Sequence, residues 1–148
     1  MPPDPRPLAS ASVVVSCDGA ARGNPGPAGI GVVIKTVEGE LVDEIAEGIG
    51  ETTNNVAEYT AALRGLRRAS ELGATDVLLR SDSNLLIRQL DGSFRVKADH
   101  LKPLHASVLA EARRFASVRF EHVRRERNTE ADALANAGVD AWLASRER

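Results

Sequence analysis

The chain has 148 residues, enough to bury one sizeable core and a natural length for a single domain. Hydrophobic residues make up 43% and charged residues 27%, the ordinary range of a globular domain, and no apolar run approaches the length that spans a bilayer. The single cysteine, Cys17, excludes an internal disulfide and a cysteine-based zinc site, and the net charge of −2 weighs against indiscriminate nucleic-acid binding. Arginines nevertheless gather at Arg64, Arg67 and Arg68, at Arg113 and Arg114, and at Arg119, Arg124, Arg125 and Arg127. Taken alone, each group is the solvated face of a helix or loop.

The opening MPPDPRPLASAS lacks a signal-type apolar stretch, and its prolines and small residues predict a flexible lead over 1–11. A cytoplasmic location is the default expectation. Residues 12–18, SVVVSCD, are rich in β-branched side chains and predict a strand. GAARGNPGPAG is punctuated by Gly and Pro and predicts a turn-rich segment. Residues 29–37 predict a second strand, EGE a tight hairpin and 40–50 a third strand, together an antiparallel meander. Residues 54–72 carry a helical pattern that Thr53 or Asn54 can cap and Gly73 can stop. TDVLLRSD, 75–82, is a short apolar run with polar ends and predicts a buried strand. A short helix follows over 83–90, closed by Asp91-Gly92, and FRVKAD reads as a loop. A helix is expected over 100–115 with Pro103 near its first turn, then a strand over 117–123, an RRERN loop and a last helix over 129–145. The order β-β-β-α-β-α-α-β-α implies an α/β fold, a mixed sheet with helices on its faces.

Four acids stand out against this frame. Asp18 and Asp82 each close an apolar strand, and if those strands are parallel neighbours their ends lie together, where open α/β sheets place ligands. Glu58, read as lying in the first turn of its helix, shares a face with Ala62, Gly65 and Ala69; Arg64, Arg67 and Glu71 point away. An acid ending a small, apolar stripe needs something positive to meet it. Asp132 repeats the pattern in line with Ala135, Val139 and Leu143. Singly, such acids also serve helix dipoles and turns. Convergent, they stay ionised only if cations neutralise them, and hard oxygen donors suit Mg²⁺ or Mn²⁺. Two such ions form the usual clamp for in-line phosphodiester displacement.

The segments CDGAARGNPGPAGIG, TTNNVAEYTAAL, LLRSDSNLLIRQL and RNTEADALAN closely resemble the four signature blocks of type 1 ribonuclease H, over about residues 12 to 143. The resemblance implies a ribonuclease H-like fold. This is a five-stranded mixed sheet, a three-stranded antiparallel meander plus two parallel strands, flanked by helices. The domain would span 12–144, with 145–148 a tail or linker start. It implies a magnesium-dependent endoribonuclease that cuts the RNA strand of RNA–DNA hybrids, leaving 5′-phosphate and 3′-hydroxyl ends. Asp18, Glu58, Asp82 and Asp132 match the family's catalytic and metal-binding acids, which hold two Mg²⁺ that Mn²⁺ can replace.

Asn24, Asn54, Asn55 and Asn84 match residues that read the hybrid's minor groove, where the 2′-hydroxyl is both donor and acceptor. Gly19 and Gly23 would let backbone approach the strand, with Arg22 beside them as a further substrate contact, and Thr53 matches a residue that helps hold a DNA phosphate. Two departures place the chain nearest a handle-less, archaeal and actinobacterial-like branch. DGSFRVKADHLKPL is short where many bacterial members carry a long basic insertion. The RRERN loop lacks the histidine that assists product release, leaving Arg125 or Arg127 for that part. His122 reads as a structural strand residue, His100 and His105 as surface positions on a helix, and Cys17 and Trp142 as core. A monomer without membrane attachment is the default, RNA duplex is an open second substrate, and a further C-terminal domain is known in this branch. The competing readings are another nuclease of this architecture, a binding module without catalysis, and a plain α/β domain with scattered acids. The NPGP and TNN–E blocks, the retention of all four acids, and the order of the four blocks argue against these in turn.

Overall fold

Residues 11–147 are described by a computed structural model; the lead expected over 1–11 falls outside them except for Ala11, as does Arg148 of the expected tail. Strands β1 (Ser12–Ala21), β2 (Gly26–Thr36) and β3 (Leu41–Thr52) form the meander. Helix α1 (Asn54–Glu71), strand β4 (Asp76–Ser81), helix α2 (Asn84–Leu90), helix α3 (Lys102–Ala112), strand β5 (Ser117–His122) and helix α4 (Thr129–Arg146) follow. Single 3₁₀ turns at Asp99–Leu101 and Arg125–Arg127 lead toward α3 and α4. The sheet order is β3-β2-β1-β4-β5, with β1–β2 and β2–β3 antiparallel and β1–β4 and β4–β5 parallel. This is the mixed five-stranded sheet expected.

Strand alternation decides which side chains lie under which helix. Val13, Val15 and Cys17 of β1 and Ile30, Val32 and Ile34 of β2 face α1 and join Tyr59, Leu66, Leu79, Leu86 and Val108 in the core. The other face of β1–β3 receives α4. Thr53 caps α1 by accepting the Val56 N–H at 3.2 Å, and Gly73 ends it with φ of 89°. Ser83 caps α2 in the same way, accepting the Leu86 N–H at 3.1 Å. Among the described residues no helix is long and apolar enough to cross a membrane.

The Gly- and Pro-rich segment differs from expectation. It forms paired strand on both sides of a short turn at 22–25, not an extended loop. The physical reason is pairing: Ala20 and Ala21 oppose Gly29 and Ala28, and Gly26–Ala28 pair with β3. A Cβ on Gly31 would sit 2.0 Å from the Ala131 carbonyl oxygen, and one on Gly29 2.4 Å from that of Ala135. Those glycines thin the strand where a helix backbone crosses it. Two element ends also shift. Helix α3 closes at Ala112, before 115, and α4 continues to Arg146, beyond the point where a tail was expected to begin.

Candidate active site

The parallel pairing of β1 with β4 brings two acids to one end of the sheet. Asp18 lies opposite Gly31 on the α4 face of β1 and is 7% exposed. Asp82 follows the last residue of β4. Glu58, 8% exposed, lies one full turn inside α1 rather than in the first turn, because capping by Thr53 starts the helix at Asn54. Asp132 does lie in the first turn of α4. Glu58 is held close because β1 offers no side chain at Gly19. A Cβ there would meet the Ala57 carbonyl carbon and the Glu58 nitrogen at 2.3 Å. On its side-chain face, Gly19 is approached by the protein's own α1 backbone.

The four acids share one electrostatic environment. Burial raises the Asp18 carboxyl to about 8, helped by the charges of Asp82, Asp132 and Glu58 and a hydrogen bond with Asp132. Burial likewise raises Glu58 to about 7; the Ser83 hydroxyl partly offsets this and the Asp82 charge adds to it. Cys17 lies buried on the opposite face of β1 with Sγ 3.5 Å from the Arg80 carbonyl oxygen, and burial pushes its thiol far up. Among the described residues none of the four acids forms an ion pair with lysine, arginine or histidine; the ion pairs present join other carboxylates. Nor do any three acidic, imidazole or thiol side chains among them stand in a ready-made coordinating cage. Carboxylates gathered without counter-ions repel one another, and a divalent cation would relieve that repulsion. The donor set fits hard divalent ions: carboxylate oxygens, with the thiol turned away.

The surrounding polar residues fall into two sets. Asn24 Oδ1 accepts the Asn54 N–H at 3.1 Å, and Asn54 Nδ2 donates to Glu58 Oε1 at 2.7 Å. Gly23 gives the β1–β2 turn its positive φ of 95°. Asn55 and Asn84 are exposed at the starts of α1 and α2, and Asn55 borders a groove with Leu85, Gln89 and Phe94. The Thr53 hydroxyl is occupied as a cap. Arg22 turns to α4, with Nη1 2.8 Å from Asp140 Oδ1. Arg125 and Arg127 are exposed in the 3₁₀ turn before α4.

Three histidine and tryptophan expectations change. His105 is half-buried, its Nε2 3.0 Å from the Gln89 carbonyl oxygen and its ring edge-on to Tyr59 at 6.3 Å. His122 is exposed at the tip of β5 in register with Ser81, so nothing packs around it as a structural residue. Trp142 is half-buried at the α4–β3 contact, against Gly48 and beneath the Arg146 guanidinium at 4.7 Å. Two site-adjacent residues escaped the sequence reading. Asn128, 3% exposed, donates from Nδ2 to the Cys17 carbonyl oxygen at 3.0 Å. Asn136 donates to the Asp132 carbonyl oxygen at 3.0 Å. The signal was present for both: a polar residue immediately before α4, and one a helical turn beyond Asp132.

A family model described as reverse transcriptase-like matches residues 16–138. A ribonuclease H of Coxiella burnetii is 33% identical over 145 residues, covering 88% of this chain and 92% of its own length. The structure of LC11-RNase H1 in complex with an RNA/DNA hybrid has a TM-score of 0.85 and 41% identity, over 88% of this chain and 99% of that one. The chain belongs to the type 1 ribonuclease H family. A bifunctional protein of Mycobacterium tuberculosis is 45% identical over 130 residues, which are 87% of this chain and 36% of that relative. The ribonuclease H unit described here therefore spans little more than a third of that relative's length. Within the ribonuclease H fold, Asp18 inside β1 and Asp82 after β4 lie just past the end of the β1–β4 pairing, with Glu58 a turn into α1 and Asp132 in the first turn of α4.

Proposed function

We propose that this domain is an endoribonuclease that hydrolyses the RNA strand of RNA–DNA hybrids, leaving 5′-phosphate and 3′-hydroxyl ends. The observation that carries the reading is a quartet of acids, two of them almost wholly buried, with no protein cation among the described residues to neutralise them. Asp18, Glu58, Asp82 and Asp132 would hold two divalent cations, Mg²⁺ by the hardness of the donors, with Mn²⁺ able to substitute. Bound there, such ions would lower the pKa of an attacking water and stabilise charge on the leaving oxygen.

The chain's own residues do the rest. Asn54 keeps Glu58 turned toward the site through its 2.7 Å hydrogen bond. The exposed amides of Asn55 and Asn84 can pair with 2′-hydroxyls across the minor groove, and the Gly23–Asn24 backbone offers close approach at the turn. Thr53 would present its backbone to a DNA phosphate at the α1 N-terminus. Arg125 and Arg127, solvent-exposed in the turn before α4, would take the product-release role. Support from relatives comes from LC11-RNase H1, whose solved complex contains an RNA/DNA hybrid.

The test is cleavage of labelled substrates by the purified protein in Mg²⁺, Mn²⁺ or EDTA. Metal-dependent cutting of the RNA strand in a hybrid, with the matching DNA duplex left intact, is the expected result. A matching RNA duplex defines the substrate range. A folded protein that cuts no hybrid in either metal would overturn the proposal.

A further inference from the structure

The β1–β2 turn carries a second polar chain, independent of the one through Asn24. Arg22 Nη1 lies 2.8 Å from Asp140 Oδ1, and its Nη2 lies 3.4 Å from both the carbonyl oxygen and Oδ1 of Asn136. Asn136 Nδ2 donates to the Asp132 carbonyl oxygen at 3.0 Å and faces Asp132 Oδ1 at 3.4 Å. Asp132, Asn136 and Asp140 are spaced four apart, so they form one stripe along α4. Arginine has donors only. It therefore sets the polarity of the Asn136 amide, oxygen toward Arg22 and NH₂ toward Asp132. A donor beside one carboxylate oxygen restrains the Asp132 rotamer and leaves the other oxygen for a cation.

We propose that Arg22 and Asn136, anchored by Asp140, are positioning residues that set the Asp132 carboxylate for metal binding. The inference rests on the reading of Asp132 as a metal ligand. It assigns Arg22 to the protein's own site, not to a phosphate of the hybrid. It also gives the turn a common purpose. Asn24 reaches Glu58 through Asn54, and Arg22 reaches Asp132 through Asn136. α1 and α4 lie on opposite faces of the sheet, and this one short turn touches both.

The test is calorimetric titration of the hybrid-free protein with Mn²⁺, alongside the KM for hybrid and the melting temperature. Asn136→Ala is expected to weaken Mn²⁺ binding about 10-fold, as loss of a hydrogen bond behind a metal ligand commonly does. Arg22→Ala should weaken it by less, and the double variant should be no worse than Asn136→Ala alone. Hybrid KM and melting temperature should stay close to the parent's in Arg22→Ala. Asp140→Asn changes an exposed group, so it tests the anchor without risk to the fold; a smaller loss of Mn²⁺ affinity is expected. An Arg22→Ala protein with raised hybrid KM and parental metal affinity would make Arg22 a substrate contact and overturn the relay. Additive losses in the double variant would do the same. Asp132→Asn separates the two levels. If it binds Mn²⁺ as the parent does, the ligand reading fails and the relay with it. If it loses affinity while Asn136→Ala does not, the relay alone fails.

Discussion

Gly19→Ala is the smallest change that should disable the site. The added Cβ would stand 2.3 Å from the Ala57 carbonyl carbon and the Glu58 nitrogen, where ordinary contact begins at 3.4 Å. About 1 Å must be found, and both obstacles are backbone. Helix α1 cannot swing freely to supply it, because Ala61, Ala62, Leu66 and Ala69 are fully buried against the sheet. Overpacking of this kind costs about 1–3 kcal/mol. The displacement falls on Glu58 itself, and a shift of about 1 Å at a reacting centre can cost about 100-fold in rate. The assay is kcat on a hybrid at saturating metal, with a thermal melt. Gly65→Ala, seven residues along α1 from Glu58, is the control: its Cβ meets the Val15 side chain of β1 at 2.8 Å. It should lose stability and keep its rate. A folded Gly19→Ala protein with the parental kcat would refute the claim that this close approach sets Glu58.

Other outcomes follow from the same geometry. Asp18 and Glu58 rise from ordinary values of 3.8 and 4.5 to about 8 and about 7. A folded-state value above the unfolded one adds stability that is full below about pH 4 and is lost as pH climbs through 7 and 8. In EDTA the melting temperature should therefore fall between pH 5.5 and 8.5 by roughly 5–10 °C. Mg²⁺ at pH 8.5 should recover much of it, and a flat profile in EDTA contradicts the shifts. Asn128→Ala removes a buried donor from the Cys17 carbonyl oxygen and should cost about 1–3 kcal/mol by denaturant unfolding. Leu66→Ala, fully buried under the sheet, should cost about 2–5 kcal/mol in the same experiment while the remaining folded enzyme cleaves normally.

Much of the fold was legible because strands such as β1 carry β-branched runs and α1 carries a small-residue stripe with a cap. The stripe of Glu58, Ala62, Gly65 and Ala69 is buried as read, and the same logic placed Asp132 beside Ala135 and Val139. Local punctuation misled where tertiary packing overrode it. Gly26 and Ala28 lie in the segment read as turns, yet they are paired strand, opposite Thr52 and Gly50 of β3. His105 read as a surface position on its helix, but the Gln89 carbonyl and the Tyr59 ring meet it from elements distant in sequence. Asn136 carried no local sign of its partner. Its role depends on Arg22, 114 residues earlier, which only the folded sheet brings near.

The proposed reading makes the four acids together a metal-dependent hybrid-cutting centre. The most direct test is single-turnover cleavage of an RNA–DNA hybrid by the parent and by Asp82→Asn, at matched folding and in saturating Mg²⁺. Cleavage of the RNA strand by the parent is expected, with a loss of several orders of magnitude in the variant. Cleavage by Asp82→Asn at the parental rate would contradict that reading.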